Sequence, residues 1–273
     1  TVTLRDKGGV TSDGAVATIE ANSSTHTVTF KVVNEEGGKL TANYGSNPWT
    51  NATSTVQVPN GTKVTFTATP DSGWELDSWT GVTSSSSSSL NATLTVDGDT
   101  TVTVEFKKVT AVAGTDNLAW TLLKNAVKVA DPNSTITIDG RIGATSGNSG
   151  EIEIDETLTI EGKTGPDKDI LDANGLSRIF KVASGKTLIL KNLTLKGGKA
   201  TGTGDAGRGG AIYAKNASEI KIENCIITGN EAAKNGGGLN VEGTPTTITN
   251  CTFTGNTAIN GGGIYIIQGD RIP

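Results

Sequence analysis

With 273 residues the chain is long enough for two domains, and none of its apolar runs is long enough to cross a membrane. Its net charge of -5 is dispersed over short segments, so we expect neither nucleic acid nor an anionic membrane as a partner. Hydrophobic residues make up 34% and aromatic residues 4% of a chain that has 36 glycines, which excludes a broad aromatic core. This composition favours thin β structures with aliphatic cores.

The first region with a clear pattern is predicted to be a small antiparallel β domain. Residues 1–26 show no definite pattern, and we expect a remnant of a preceding module or an added edge strand there. Apolar and polar residues then alternate, for example along 28–32, 64–68 and 102–106, with turns rich in Gly and Asn between them. Alternation with period two is typical of strands with one buried face, so residues 27–108 form the predicted domain.

Three tryptophans of this domain are assigned different roles. Trp74 and Trp79 lie five residues apart beside a Gly turn, and we expect them to complete a core with few other aromatic residues. Trp49 follows Pro48 in a polar segment and is harder to assign to the core. It is therefore the aromatic residue of this domain that we expect to contact a ligand.

Three segments of this domain resemble the internalin-type B-repeat of bacterial surface proteins: residues 61–70, residues 73–79 with their two tryptophans, and residues 99–106. The resemblance covers roughly residues 27–107 and keeps the order of the motifs. It implies a β-grasp-like module that acts as a spacer or adhesive unit on a cell surface. The serine run from Ser84 to Ser89 departs from the repeat, and we expect a mobile loop there.

Residues 109–133 are predicted to form a linker and a capping helix. The helix spans 116–130, with Asp116 or Asn117 as its cap. Its apolar face has helical spacing and consists of Leu118, Leu122, Leu123, Ala126, Val127 and Ala130. A β-helix exposes an apolar, unpaired end, so we expect this helix to cover the first rung, with Trp120 filling the end.

The strongest pattern of the chain is a repeated tetrapeptide that begins with two glycines: Gly209–Ile212, Gly236–Leu239 and Gly261–Ile264. The steps of 27 and 25 residues are typical of stacked rungs. Three short strands in each rung predict a right-handed parallel β-helix over residues 134–273, with five to six rungs. We interpret the chain as an excised fragment and expect further rungs to follow Pro273 in a longer parent.

The glycine-rich tetrapeptides are paired with Ile227-x-x-Asn230 and Phe253-x-x-Asn256. This pairing is similar to the paired tetrapeptides of the chlamydial polymorphic outer-membrane proteins and of other repeat-bearing bacterial adhesins. In those families the repeats form a passenger β-helix outside the cell. The resemblance thus implies an extracellular or bacterial cell-surface location.

Asparagines and cysteines recur at equivalent positions of successive rungs. Cys225 and Cys251 are expected to stack inward as free thiols, because parallel side chains are poorly aimed for a disulfide. The amides of Asn192, Asn224 and Asn250 are expected to form a ladder at one turn.

One rung carries an insertion of about five residues within Lys199 to Arg208, which holds Asp205 and Arg208. Such loops on a rigid scaffold often bind ligands, although they are also an ordinary place for neutral length variation. Asp205, Arg208 and Trp49 are the predicted ligand-binding residues. The other carboxylates and arginines do not recur at one rung position, so no catalytic, cofactor or metal site is predicted.

The leading hypothesis is a secreted or cell-surface bacterial adhesin-like protein that presents its β-helix to an unknown host or cell-surface ligand, either a protein or a glycan. The alternative is a carbohydrate-active β-helix enzyme, similar to a polysaccharide lyase or a glycoside hydrolase, with its site beside residues 199–208. Whether the chain is an enzyme stays open at this point.

Overall fold

The computed structural model describes residues 24–45, 47–50, 53–83, 85, 89–114 and 117–267, with only the backbone at 47–50 and 53. The predictions for most of segment 1–26, for most of the serine run Ser84–Ser89, for Asp116 as a helix cap and for residues 268–273 concern positions outside the described residues. None of the described helices is long and apolar enough to span a membrane.

The first domain consists of two packed β-sheets. In chain order its strands are β1 (Thr25–Val32), β2 (Gly38–Tyr44), β3 (Asn47–Thr50), β4 (Thr53–Pro59), β5 (Lys63–Pro70), β6 (Trp74–Thr80), β7 (Asn91–Thr95) and β8 (Thr100–Lys108). They form two four-stranded sheets, in the orders β4-β1-β8-β6 and β3-β2-β5-β7. All pairs are antiparallel except β1 and β8, which run in parallel. A 3-10 helix, Val33–Glu35, follows β1.

The alternating residues of both sheets share one core, as predicted. Phe30 of β1 and Phe66 of β5 meet across the sheets with ring centroids 6.0 Å apart. Trp74 and Trp79 are partly buried against the same core, and the Trp79 indole N–H donates to the carbonyl of Ser89 at 2.9 Å. The interpretation of these two tryptophans as packing residues is therefore confirmed.

The linker becomes part of the second domain. Strand β9 (Ala111–Ala113) pairs in parallel with the first strand of the β-helix, and helix α1 (Ala119–Val129) covers the same end. Trp120 is fully buried there, and its indole N–H donates to the carbonyl of Gly150 at 2.9 Å. The predicted cap and the role of Trp120 are confirmed.

Two details of the helix prediction are wrong. Leu118 and Leu122 are 62% and 42% exposed, and the buried residues of α1 are Ala119, Trp120, Leu123, Ala126 and Val127. Leu118 occupies the N-cap position and forms no side-chain cap hydrogen bond, so Asn117 is not the N-cap residue. Helical spacing permits several overlapping apolar faces, and the contact with the first rung selects the face centred on the bulky Trp120.

Short parallel strands build the second domain. In chain order they are β10 (Thr135–Asp139), β11 (Arg141–Gly143), β12 (Ile152–Ile154), β13 (Leu158–Gly162), β14 (Ile170–Asp172), β15 (Phe180–Val182), β16 (Thr187–Lys191), β17 (Thr194–Lys196), β18 (Lys199–Ala200), β19 (Ile212–Lys215), β20 (Glu219–Glu223), β21 (Ile226–Thr228), β22 (Glu231–Ala232), β23 (Leu239–Glu242), β24 (Thr246–Thr249), β25 (Thr252–Thr254) and β26 (Ile264–Ile267). They form a β-solenoid of about six turns, which confirms the predicted parallel β-helix.

Three long sheets run along this β-helix. The first sheet has the order β9-β10-β13-β16-β20-β24, the second β11-β14-β17-β21-β25, and the third β12-β15-β19-β23-β26. Strands β18 and β22 form a separate short pair. The inward side chains of all three sheets are aliphatic for the most part and join into one continuous core.

Two physical constraints explain the glycine repeat. The first glycine of each pair adopts a φ of 60° to 66°, which side chains rarely tolerate: Gly209, Gly236 and Gly261. A Cβ on Gly210 would lie 2.3 Å from the carbonyl oxygen of Gly237 in the next rung, too close for any side chain. The second glycine therefore permits the close stacking of successive rungs.

The repeated cysteines stack as predicted, and the asparagine ladder is confirmed for one of its pairs. Cys225 is buried, Cys251 is partly buried against the same core, and both are free thiols. Burial raises the pKa of Cys225 to about 12. In the predicted asparagine ladder, the amide of Asn224 donates to the side-chain oxygen of Asn192 at 3.4 Å.

Candidate functional site

The insertion of residues 199–208 distinguishes one rung from the next. Ala200 pairs with Ala232, and Ile212 pairs with Leu239, so 12 residues separate the paired positions in this rung and 7 in the following one. The predicted excess of about five residues is thus located between β18 and β19. It contains a 3-10 helix, Gly204–Gly207, and lies beside the outer surface of the third sheet.

One buried arginine, Arg178, makes several of the contacts that hold this insertion in place. The side chain of Arg178 is only 5% exposed, and its guanidinium pairs with Glu151 at 2.5 Å. The same guanidinium donates to four backbone carbonyls of the insertion and its end, at 2.8 to 3.1 Å: those of Asp205, Ala206, Arg208 and Gly209. Its central carbon lies 5.2 Å from the ring centroid of Tyr213. The insertion is therefore an ordered part of the site.

The two predicted residues of the insertion meet two others on the third sheet. Arg208 pairs with Asp205 at 3.0 Å and with Glu242 at 2.5 Å. Lys215 lies 3.5 Å from Asp205 and 3.8 Å from Glu242, which closes a ring of two cations and two carboxylates. Asp205 and Lys215 remain about half exposed, at 50% and 47%. The structure thus brings Asp205 and Arg208 together, and their role in ligand binding stays a prediction.

Sequence reasoning missed Glu242 and Lys215, although a signal existed. Lys215 and Glu242 are register partners on β19 and β23, each three residues after the equivalent aliphatic residue of the tetrapeptide. Aligning the two repeats would have placed their side chains side by side. For Arg178 the sequence holds no comparable signal, since the position is not repeated.

Local electrostatics keep Asp205 charged. The neighbouring Tyr213 hydroxyl, and then the charges of Lys215 and Arg208, hold the pKa of Asp205 below its ordinary value against the effect of partial burial. Burial raises the pKa of Tyr213, so this phenol stays protonated. A general acid for glycoside cleavage needs a carboxyl with a raised pKa, and Asp205 has the opposite shift.

One polar side chain of this site, that of Asn240, is buried without any hydrogen-bond partner among the described residues. Leu239 and Val241 point into the core, so Asn240 between them faces the outer surface of the third sheet, in register with Tyr213 and Tyr265. Asn240 is 0% exposed, and within the described structure neither its Nδ2 nor its Oδ1 has a hydrogen-bond partner. The Tyr213 hydroxyl and the Nε of Arg208 are also buried without a hydrogen bond of standard geometry, although the hydroxyl lies near enough to Asp205 to lower the pKa of that carboxyl.

The third predicted ligand-binding residue belongs to the other domain. Trp49 lies on β3 opposite Ala42 of β2, and its side chain lies outside the described residues. Its expected role as a ligand contact stays a prediction.

Buried carboxylates elsewhere in the β-helix organise loops. Asp169 accepts hydrogen bonds from the backbone N–H groups of Gly140, Thr164 and Gly165 and from the Thr164 hydroxyl, at 2.5 to 2.9 Å. Asp172 pairs with Arg141 at 2.8 Å. In the part of the chain that the structure describes, no group of three or more His, Cys, Asp or Glu side chains could hold a metal ion.

Comparison with known proteins identifies two regions of the chain. Residues 26–110 match the divergent InlB B-repeat domain. Residues 250–267 match the Chlamydia polymorphic membrane protein repeat, over the last of the three Gly-Gly tetrapeptides. Both resemblances stated from the sequence are therefore confirmed. Neither the curated proteins nor the solved structures contain a significant match to the chain.

Proposed function

We propose that the chain is an extracellular, adhesin-like protein of a bacterial surface, in which the B-repeat domain carries a β-helix that binds ligands on its side. The observation that carries this proposal is the occurrence, on one chain, of repeats from two families of bacterial surface-associated proteins. A β-helix offers long, flat sheets with fixed side-chain positions, which suits the presentation of a binding surface.

The insertion supports a binding surface that lies beside residues 199–208. A flexible surface loop would lose conformational entropy when it bound a ligand, and this cost weakens binding. Here Arg178 already holds the backbone of the insertion against the third sheet. Asp205, Arg208, Lys215 and Glu242 are consequently presented as one preorganised polar surface.

An immobilised array of glycans and extracellular matrix proteins tests this function. We expect the chain to be retained on at least one class of array element without altering it. In parallel, the release of products from acidic and neutral polysaccharides is measured with and without calcium. Retention on no element would contradict the adhesin-like function, and product release that is lost in Asp205→Ala would favour the enzyme instead.

A further inference from the structure

The unpartnered amide of Asn240 contrasts with a structural asparagine nearby. Asn230 is also buried, at 1% exposure, but its side-chain oxygen accepts from the N–H of Gly198 at 2.7 Å. Its Nδ2 donates to the carbonyl of Leu195 and to the side-chain oxygen of Asn256. This asparagine satisfies its polar atoms within the fold, as buried polar groups normally do. Asn240 departs from that pattern by keeping both a donor and an acceptor unused.

The charges around Asn240 indicate the nature of a ligand. The outer surface of the third sheet and residues 201–208 of the insertion carry equal numbers of cations and carboxylates: Lys181, Arg178, Arg208 and Lys215 against Glu151, Glu153, Asp205 and Glu242. Lys199, at the start of the insertion, is paired with Glu231. All eight take part in ion pairs with one another, so the surface has no excess charge with which to bind an anion or a metal ion. A neutral ligand fits this balance.

We propose that the surface around Tyr213, Asn240 and Tyr265 binds a neutral sugar unit of a glycan, with Asn240 as the residue that recognises its hydroxyl groups. An amide provides two N–H donors and a carbonyl acceptor, and each sugar hydroxyl can accept from one and donate to the other. The two tyrosines flank Asn240 in register. Tyr265 is partly exposed and adds aromatic surface for the apolar face of a sugar ring, whereas the ring of Tyr213 is buried beneath Arg178. This inference rests on the proposed function and specifies its ligand.

Access to Asn240 requires the displacement of side chains that shield it. Lys215 lies on the same outer surface, is about half exposed and is held by ion pairs of 3.5 and 3.8 Å, so its reorientation costs little. Asp205 is held more firmly, because it also pairs with Arg208 at 3.0 Å. Arg178, by contrast, is buried and bonded to the backbone of the insertion. The binding surface thus opens by movement of exposed side chains while its backbone stays in place.

The substitution Asn240→Leu separates this role from a structural one. Leucine has nearly the shape of asparagine, and it removes a buried amide that has no partner within the fold. We therefore expect an unchanged or raised melting temperature together with binding to neutral glycans that is about tenfold weaker or worse. As a matched control, Asn230→Leu should lower the melting temperature, because it removes an amide with partners.

The binding experiment uses immobilised oligosaccharides that end in neutral hexoses or N-acetylhexosamines, with sialylated and sulfated oligosaccharides as charged counterparts. The unmodified chain should bind neutral termini, with little dependence on salt or calcium. Lys221→Gln on the first sheet should bind as the unmodified chain does. Should Asn240→Leu fail to fold, Tyr213→Phe replaces it, and we expect this variant to bind several times more weakly as it loses one hydroxyl.

Three outcomes would overturn the inference. If matrix proteins alone retain the unmodified chain, the proposed adhesin-like function still stands, but its ligand is not a sugar. If Asn240→Leu, or Tyr213→Phe in its place, binds neutral glycans as strongly as the unmodified chain, the sugar does not bind at this surface, and the proposed function still stands. Binding to charged glycans alone would contradict the argument from charge balance.

Discussion

At one end of the β-helix Ile136 and Ile138 are fully buried, whereas at the other end the inward-facing Ile264 and Ile266 remain 37% and 44% exposed. The residues at both ends are aliphatic, lie in short parallel strands and face the core. The difference lies in what covers them, since helix α1 and Trp120 pack over the first rung. A rung is thus stabilised by its neighbours more than by its own residues, as in other repeat proteins.

The largest expected effect concerns the covered end. Replacing Trp120 with Ala should leave a cavity between α1 and the first rung and lower the free energy of unfolding by about 4 kcal/mol. Ile266→Ala, at the exposed end, should lower it by about 1 kcal/mol or less, because the side chain loses little buried surface. Urea unfolding of both variants measures the contrast. Equal losses would mean that α1 does not protect the first rung.

A smaller effect is expected from a buried carboxylate in the covered half. Asp169→Asn should cost about 2 kcal/mol, because the amide places N–H groups against the N–H donors of Gly140, Thr164 and Gly165. Asp155→Asn, at an exposed position, serves as the matched control and should be nearly neutral.

The same carboxylate predicts a pH dependence. Burial would raise the pKa of Asp169, but its hydrogen bonds from the loop outweigh this effect and lower the pKa below the ordinary value. A lowered folded pKa means that the carboxylate stabilises the fold above its unfolded pKa, and that this stabilisation is lost as the pH falls through the folded pKa. The difference in the free energy of unfolding between Asp169→Asn and the unmodified chain should therefore become smaller as the pH falls. A constant difference down to about pH 2 would contradict this assignment.

The asparagines of successive repeats provide a closer comparison. Asn230 is buried and Asn256 is partly exposed, although both follow the same strand position. Asn230→Ala should cost about 1.5 kcal/mol by leaving the N–H of Gly198 unpaired, and Asn256→Ala should cost less because water can replace its amide. Thermal melting of the two variants tests the order. The reverse order would show that the exposed rung is the more rigid one.

The smallest effect concerns the two thiols, where stability should not change at all. Reductant should leave the melting temperature unaltered, because both thiols are free. Cys251 should react with iodoacetamide in the folded chain, whereas Cys225 should react only after unfolding, as its raised pKa of about 12 leaves almost no thiolate. Mass spectrometry after timed labelling distinguishes the two. Equal native rates would place both side chains at the surface.

Predictions from the sequence succeeded where the constraint is local. Gly209 and Gly210 reveal a rung because one needs a positive φ and the other a close backbone neighbour, and only glycine meets both needs. The capping helix was predictable for a similar reason, since α1 has helical apolar spacing. Its buried face was not, because Leu122 and Leu123 have equal hydrophobicity and only the contact with the first rung separates them.

The candidate site shows the same division. Asp205 and Arg208 were found from the length of one rung, which is a property of the chain alone. Their pairing with Glu242, however, depends on the register of β19 and β23 and on the folding of the insertion over the third sheet.

By itself, the sequence determined the parallel β-helix, its repeat length, the B-repeat domain and the position of the insertion, because periodic glycines and alternating apolar residues act through short-range backbone geometry. The tertiary structure alone decided which polar groups are satisfied. Asn230 and Asn240 are the same residue type only ten positions apart, yet one finds partners and the other none. Hydrogen bonding in the β-helix joins neighbouring rungs, so its outcome depends on residues about 30 positions distant.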